Sequence, residues 1–186
     1  MTKAAVIYHS NSGRTKVIAE HVAIGIKHMG CEARLFDCTK EIDFEYLNTC
    51  NAIVFGCPTY MGSVSGQMKL FMDSASEVYR HQKWRNKIAA GFTTSSALSG
   101  DKLNTLMQIA LFAFQHGMVW IGLDLPAGVS ASTHTGDRMN RIGSWIGMMS
   151  QINGDQSLDL SPAKSDRETA EYLGKRVVEF AKKLEK

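Results

Sequence analysis

Residues 52–56, Ala-Ile-Val-Phe-Gly, form the segment that most restricts what this chain can fold into, because every position is apolar. An alternating pattern would leave one face of a strand in water, whereas a continuous apolar run predicts a strand covered on both faces. Such strands lie inside parallel sheets, whose strands are joined by long crossovers that are usually helical. The run therefore predicts an α/β protein with helices on both faces of its sheet.

The rest of the chain has the strands and crossovers that this interpretation needs. Further apolar runs predict strands at residues 4–8, 31–36, 88–92 and 118–123. Apolar residues at helical spacing predict helices at about 15–29, 46–50, 66–78, 101–116 and 166–184. This order predicts one domain, residues 1–186, with a flavodoxin-like, doubly wound sheet of five parallel strands in the order 2-1-3-4-5. Residues 124–163 have many glycines and little periodicity, which predicts a long functional loop.

Composition argues against several other classes of protein. The net charge is only +3 and Lys and Arg do not cluster, so a nucleic-acid partner is not expected. The longest apolar run, residues 109–114, is far shorter than the roughly 20 residues of a membrane span. The four cysteines form no C-x-x-C pair and no signal peptide precedes the first strand, which predicts a cytoplasmic protein with reduced thiols. The six histidines include no i,i+4 pair, so no metal site is expected.

Three polar loops follow strands at the edge where this fold binds its ligands. In a doubly wound sheet the ligand lies outside the carboxyl ends of the strands, where the winding reverses. That rule selects the loops after the first, third and fourth predicted strands. We name them the phosphate loop (residues 10–15), the ring loop (58–62) and the pyrimidine loop (93–100).

The phosphate loop runs directly into a predicted helix. Backbone N–H groups at a helix start have no intrahelical partner, and with the helix dipole they form an anion site. The loop lacks the glycine patterns of Walker and dinucleotide sites, and its short run of hydroxyls suits a terminal phosphomonoester such as that of flavin mononucleotide (FMN). A plain N-cap on a polar turn is the alternative. The predicted phosphate-binding residues are Ser10, Asn11, Ser12, Gly13, Arg14 and Thr15.

The other two loops have the chemistry that a flavin ring needs. An isoalloxazine requires an apolar or aromatic face and N–H donors along its polar edge. The ring loop would give these through Pro58, Thr59, Tyr60, Met61 and Gly62. The pyrimidine loop has many donors and no charge, and would use Thr94, Ser95, Ser96, Ala97, Leu98 and Ser99. Core packing at a strand end and a surface turn are the respective alternatives.

Residues 56–73, Gly-Cys-Pro-Thr-Tyr-Met-Gly-Ser-Val-Ser-Gly-Gln-Met-Lys-Leu-Phe-Met-Asp, closely resemble a segment of one known family. This family is the tryptophan-repressor-binding-protein-like NAD(P)H:quinone oxidoreductases, with the pattern G-x-P-T-x-x-G-x-x-S-G-Q-M-x-x-F-x-D. Residues 115–118, Gln-His-Gly-Met, also resemble the family's H-H-G-M. The resemblance implies FMN as cofactor, NADH or NADPH as co-substrate, and two-electron reduction of quinones. It also implies homodimers that pair into homotetramers with active sites shared between subunits, and an aromatic residue near the substrate at Tyr79.

The chain departs from this family at three places. Its third loop reads Ser-Ala-Leu-Ser-Gly where the family is glycine-rich, and the family's insertion after the second strand is missing. Gln115 stands where the family has a flavin-facing His, and an amide is neither a cation nor a proton donor near pH 7. The next residue, His116, is either structural or reaches the flavin pocket. No catalytic side chain is expected, because the flavin itself performs the chemistry.

Three other functions remain open from the sequence. A flavodoxin-type electron carrier would dock basic partners through an acidic face, which the net positive charge opposes. An NAD(P)H-dependent FMN reductase would release its reduced flavin. A non-catalytic binding module would use the apolar helix at residues 103–114.

Overall fold

The computed structural model describes residues 2–185. Its strands, in chain order, are β1 (Lys3–Tyr8), β2 (Glu32–Asp37), β3 (Ala52–Tyr60), β4 (Ser63–Val64), β5 (Ile88–Ser95), β6 (Val119–Trp120) and β7 (Met148–Gln151). Its helices are α1 (Arg14–His28), α2 (Phe44–Thr49), α3 (Gly66–Ser74), α4 (Ser76–Arg80), α5 (Lys102–Gln115) and α6 (Lys164–Leu184). None of the described helices is long and apolar enough to cross a membrane.

The main sheet has the strand order β2-β1-β3-β5-β6, and every pair along this path is parallel. Because β4 is a two-residue antiparallel strand off the path, this is the predicted flavodoxin-like order. The prediction from residues 52–56 is confirmed in detail. Val54 packs into one core cluster with α1 and α6, while Ile53 and Phe55 pack into a second cluster with α3 and α5.

The fifth strand of the sheet differs from the prediction of a single run over residues 118–123. Only Val119 and Trp120 pair with the start of β5, and β7 then continues the same edge beside residues 92–95. The Ile121 N–H still donates to the Ala89 carbonyl of β5, but the chain then leaves the sheet: the Leu123 N–H donates to the Trp145 carbonyl, and the Leu123 side chain packs into the core. Residues 121–147 therefore interrupt the edge strand, and the prediction of an unbroken loop over 124–163 is wrong at β7.

Two further boundaries differ from the sequence-based expectation. The helix predicted over residues 66–78 is two helices, α3 and α4, separated at Ala75. The strands β3 and β5 extend to Tyr60 and Ser95, so part of the ring and pyrimidine loops is strand. Both extensions are paired with each other as far as Pro58 and Thr94, and this cross-strand pairing overrides the loop-like composition.

Candidate functional site

Hydroxyl–hydroxyl hydrogen bonds join the three loops at the carboxyl edge of the sheet. Thr15 Oγ1 lies 2.8 Å from Thr94 Oγ1, which connects the phosphate loop to the pyrimidine loop. Thr59 Oγ1 lies 2.8 Å from Thr93 Oγ1 and 2.8 Å from Thr105 Oγ1, which connects the ring loop to β5 and to α5. All five threonines in these hydrogen bonds are buried. The three segments selected by the switch-point rule therefore form one crevice.

The phosphate loop keeps its backbone donors free. Gly13 is the N-cap of α1 with φ of 84°, and no side chain caps the helix. Among residues 2–185, the N–H groups from Ser10 to Gly13 find no acceptor, and the buried Ser10 Oγ has no hydrogen-bond partner. A buried hydroxyl without a partner is unfavourable unless a ligand completes it. The residues present therefore fit a phosphomonoester; Asn11 and Ser12 are exposed beside them.

The Arg14 side chain reaches protein acceptors through its Nη2, while its buried Nε has no partner among residues 2–185. Its Nη2 donates to the Gly154 carbonyl at 3.0 Å and to the Gln156 carbonyl at 2.6 Å. Leu158 lies so close to Gly13 that its Cδ1 would be 3.2 Å from a Cβ placed there. Residues 153–158, which we name the wall segment, thus cover the phosphate loop from the far end of the chain. The sequence has no signal for this contact, because its partners are more than 130 positions apart.

The ring loop ends in a tight two-residue turn between β3 and β4. Met61 and Gly62 both have positive φ, 48° and 71°, and Tyr60 pairs with Ser63 across them. This is the geometry of a type I′ hairpin turn. Pro58 and Thr59 are buried strand residues, whereas Tyr60 is 45% exposed and Met61 is fully exposed. The turn therefore presents an aromatic and an apolar side chain at the rim of the crevice.

The pyrimidine loop is held by hydrogen bonds from Lys102, a residue that the sequence did not single out. Thr94 is buried, Ser95 is half-buried, and residues 96–99 are exposed. Lys102, in the first turn of α5, is fully buried, and its Nζ donates to Ser95 Oγ and to the carbonyls of Ala97 and Leu98. A single lysine at the start of an apolar helix resembles an ordinary surface residue, so no pattern in the sequence could have indicated this role.

His9 is a second residue that the sequence interpretation missed. His9 lies between the end of β1 and the phosphate loop, and its Nδ1 lies 2.8 Å from Ser65 Oγ. Ser65 also accepts from the Met68 N–H, so it caps α3 while binding the imidazole. Burial lowers the pKa of His9, and Asp37 opposes that shift only in part. A neutral His9 therefore joins the base of the phosphate loop to the start of α3.

Tyr79, Gln115 and His116 lie at the opposite edge of the sheet. Because α5 runs antiparallel to the strands, it begins at the three loops and ends at Gln115, next to the start of β6. The rings of Tyr79 and His116 are 5.8 Å apart and line a cavity of about 500 Å³ together with Gln115. Within one chain, these three residues do not join the crevice.

His116 is packed as a core residue. Its ring centroid is 4.7 Å from that of Trp84 and 4.6 Å from that of Phe112, and its Nδ1 has no partner among the described residues. Burial among these rings lowers the pKa of His116 to about 4. The geometry in this chain favours the structural alternative for His116.

The sheet order and the crevice at its carboxyl edge define a flavodoxin-like α/β protein. A family model described as NADPH-dependent FMN reductase matches residues 44–128. Flavodoxin FldP of Pseudomonas aeruginosa is 35% identical over 185 residues, covering 99% of each chain. NAD(P)H dehydrogenase (quinone) of Archaeoglobus fulgidus is 31% identical over 208 residues, covering 99% of this chain and 100% of the relative.

A solved structure shares both fold and sequence with the chain. It is a flavodoxin, WrbA-like protein from Agrobacterium tumefaciens, with a TM-score of 0.73 and 33% identity over 98% of this chain and 99% of that one. The chain belongs to the flavodoxin-like family of FMN oxidoreductases and electron-transfer proteins.

Proposed function

We propose that this chain is an FMN-dependent oxidoreductase that uses NADH or NADPH to reduce quinones or similar acceptors by two electrons. The observation that supports this most directly is the rim of the crevice, where the three loops expose apolar and aromatic side chains. Tyr60, Met61 and Leu98 are exposed around it, and the three loops contain no Asp or Glu. A flat, uncharged acceptor gains from stacking against such a rim.

The proposed site assigns each loop one task. The free N–H groups of residues 10–15 and the hydroxyl of Ser10 bind the phosphate, with Thr15 holding the loop to Thr94. Tyr60 and Met61 cover the ring, while Pro58, Thr59 and Gly62 shape the turn that carries them. Residues 94–99 face the pyrimidine edge. FMN, when bound, supplies the electron-transfer chemistry, and these residues anchor and orient it.

Two of the similarities support the reaction type. The Archaeoglobus relative is a quinone-reducing NAD(P)H dehydrogenase, and the matching family model is described as NADPH-dependent. The decisive experiment is a steady-state assay of the purified protein with FMN, NADH or NADPH, and a benzoquinone. We expect nicotinamide oxidation that requires both FMN and quinone. Absence of turnover with either nicotinamide would reject the proposal.

A flavodoxin-type electron carrier is the second candidate, because the Pseudomonas relative of that name matches almost the full length of both chains. Anaerobic photoreduction separates the two functions. A high yield of long-lived, one-electron-reduced flavin would favour the carrier, and its absence together with quinone turnover would favour the enzyme.

An FMN reductase that releases its product is a third candidate, supported by the description of the family model. Retention of FMN through gel filtration at sub-micromolar affinity would argue against it.

We also propose that the chain forms a homodimer or homotetramer through α5. An apolar stripe on the outer face of this helix is exposed: Leu103, Met107, Leu111 and Phe114. These residues recur at helical spacing, and contiguous exposed apolar surface of this kind marks interaction sites. The stripe ends beside the cavity that contains Tyr79 and Gln115, so a second copy seated here would cover both residues.

Leu111→Glu tests the α5 interface. A buried, unpaired carboxylate is strongly unfavourable, so we expect the oligomer to dissociate at micromolar protein concentration, as measured by light scattering after gel filtration. Leu184→Glu, at an exposed position at the end of α6, is the matched control and should leave the mass unchanged. An unaltered mass for Leu111→Glu would place the interface elsewhere.

A further inference from the structure

Lys102 is a charged side chain buried completely beneath the pyrimidine loop, with 0% of its surface exposed. Lysine is almost never buried to this extent unless its ammonium is paired. The Nζ atom donates to Ser95 Oγ at 2.9 Å, to the Ala97 carbonyl at 2.7 Å and to the Leu98 carbonyl at 2.8 Å. All three acceptors belong to one loop, so the ammonium fixes the conformation of that loop.

These contacts determine which way two backbone donors point. The peptide bonds after Ala97 and Leu98 are trans, so the N–H of each peptide points away from its carbonyl. Since both carbonyls point inward to Lys102, the N–H groups of Leu98 and Ser99 point outward. Neither N–H donates to an acceptor among residues 2–185, and Leu98 is 66% exposed. Two adjacent outward N–H groups form a concave donor site.

We propose that Lys102 is a positioning residue of the flavin site: it holds the Ala97 and Leu98 carbonyls inward so that the Leu98 and Ser99 N–H groups face the pyrimidine edge of FMN. The inference rests on the proposed function of the crevice. It adds a residue outside the three loops, and it explains how a loop without the family's glycines keeps a defined shape.

The charges around Lys102 leave it as the unpaired cation of a buried cluster. Asp166 on α6 is the carboxylate that raises its pKa, but that carboxylate already binds Arg141, with Nε to Oδ1 at 2.7 Å, and the Ser150 hydroxyl at 2.6 Å. Burial lowers the pKa of Lys102 to about 8; Asp166 opposes this shift and Arg141 adds to it. The ammonium therefore loses its proton within an accessible pH range.

Titration of Lys102 gives the inference a specific pH signature. If FMN binds only the loop shaped by the ammonium, then affinity is fully present below pH 8 and is lost as the pH rises above it. A pKa of about 8 in the free protein corresponds to a loss of about tenfold between pH 7 and pH 9. The FMN phosphate is already fully ionised over most of this range, because its second pKa is about 6.

The test measures FMN dissociation constants by flavin fluorescence quenching between pH 7 and pH 9. For Lys102→Met we expect affinity about tenfold weaker than wild type at pH 7, and no dependence on pH, since three hydrogen bonds to a charged donor are lost. Lys102→Gln keeps an N–H donor without the charge, and we expect an intermediate affinity that is also independent of pH. Lys175→Met, at an exposed lysine on α6, is the matched control and should behave as wild type.

Each outcome separates this inference from the proposed function. A wild-type protein that binds no FMN at any pH would reject the flavin site itself. A wild-type protein that binds FMN with the same affinity at pH 7 and pH 9 would overturn the role of Lys102 alone. Weaker binding in Lys102→Met with the wild-type pH slope retained would also overturn it, as a merely structural effect. Circular dichroism of the FMN-free variants checks folding; if Lys102→Met does not fold, the wild-type profile and Lys102→Gln decide.

Discussion

Ser10 and His116 each have a buried polar atom without a partner in the described chain, yet they lie at opposite edges of the sheet and have opposite surroundings. Around Ser10 Oγ are free backbone N–H groups and the start of α1, which together favour an anion. Around His116 Nδ1 are the rings of Trp84 and Phe112, which favour an uncharged imidazole. The same defect in hydrogen bonding therefore indicates a ligand in one place and a neutral core residue in the other.

The largest effect that follows from this contrast concerns the phosphate loop. Replacing Ser10 and Thr15 together with Ala should weaken FMN binding by more than tenfold. The Ser10 change leaves phosphate oxygens without a donor, and the Thr15 change removes the bond to Thr94, at about 1–3 kcal/mol each. Equilibrium dialysis against FMN measures the loss.

Riboflavin, which lacks the phosphate, is the internal control for the double variant. Its affinity should change less than that of FMN, because the ring loop is intact and the pyrimidine loop loses only the hydrogen bond between Thr94 and Thr15. Retention of the yellow colour after dialysis, or an equal loss of riboflavin binding, would show that residues 10–15 do not hold the phosphate.

The second effect is on stability and comes from His116. The pKa of His116 in the folded protein is about 4, below the ordinary value of 6.5. Between these two pH values the imidazole is mostly protonated in the unfolded state and mostly neutral in the folded state. The free energy of unfolding is therefore highest above pH 6.5 and falls as the pH drops toward 4. The loss from His116 is about 2 kcal/mol between pH 7 and pH 5. Urea unfolding of the FMN-free protein at both pH values should show this loss.

His116→Phe removes the titrating group and keeps a ring among Trp84 and Phe112, so most of the pH effect on unfolding should disappear. His81→Gln, at an exposed histidine on the same edge, should retain it. FMN affinity should be the same in both variants if His116 is purely a core residue. A drop in FMN affinity confined to His116→Phe would instead bring this residue into a flavin site shared between subunits.

Features formed by residues that are neighbours in the sequence could be predicted, whereas features that depend on tertiary contacts could not. The strand at residues 52–56 and the phosphate loop were predictable because a continuous apolar run and a polar turn at a helix start are local patterns. The strand β7 was not, since Met-Met-Ser-Gln lacks the β-branched residues that identify strands and pairs with β5 through tertiary contacts. The break between α3 and α4 at Ala75 was also not predictable, because no Gly or Pro marks it in the sequence.

The same division holds inside the site. Three loops could be selected because topology brings the carboxyl ends of parallel strands together. Lys102 could not, because its three acceptors take their positions only after the pyrimidine loop has folded over it. The placement of Gln115 and His116 followed from the direction of α5 rather than from their resemblance to a flavin-facing pair.

The smallest of the three effects concerns the wall segment, residues 153–158, and sharpens the account of the phosphate loop. Arg14→Met removes the donors to the Gly154 and Gln156 carbonyls but keeps the backbone N–H of residue 14. Because these contacts are solvent-exposed, we expect a loss of about 1 kcal/mol, or roughly fivefold in FMN affinity, with faster FMN dissociation. Lys16→Met removes a neighbouring positive charge on α1 without touching the wall segment. If Arg14→Met weakens binding and Lys16→Met does not, the Arg14 guanidinium retains FMN, either by holding the wall segment or by donating its unpartnered Nε to the phosphate. If the two variants lose affinity equally, long-range attraction between positive side chains and the phosphate accounts for the effect, and the wall segment has no part in binding.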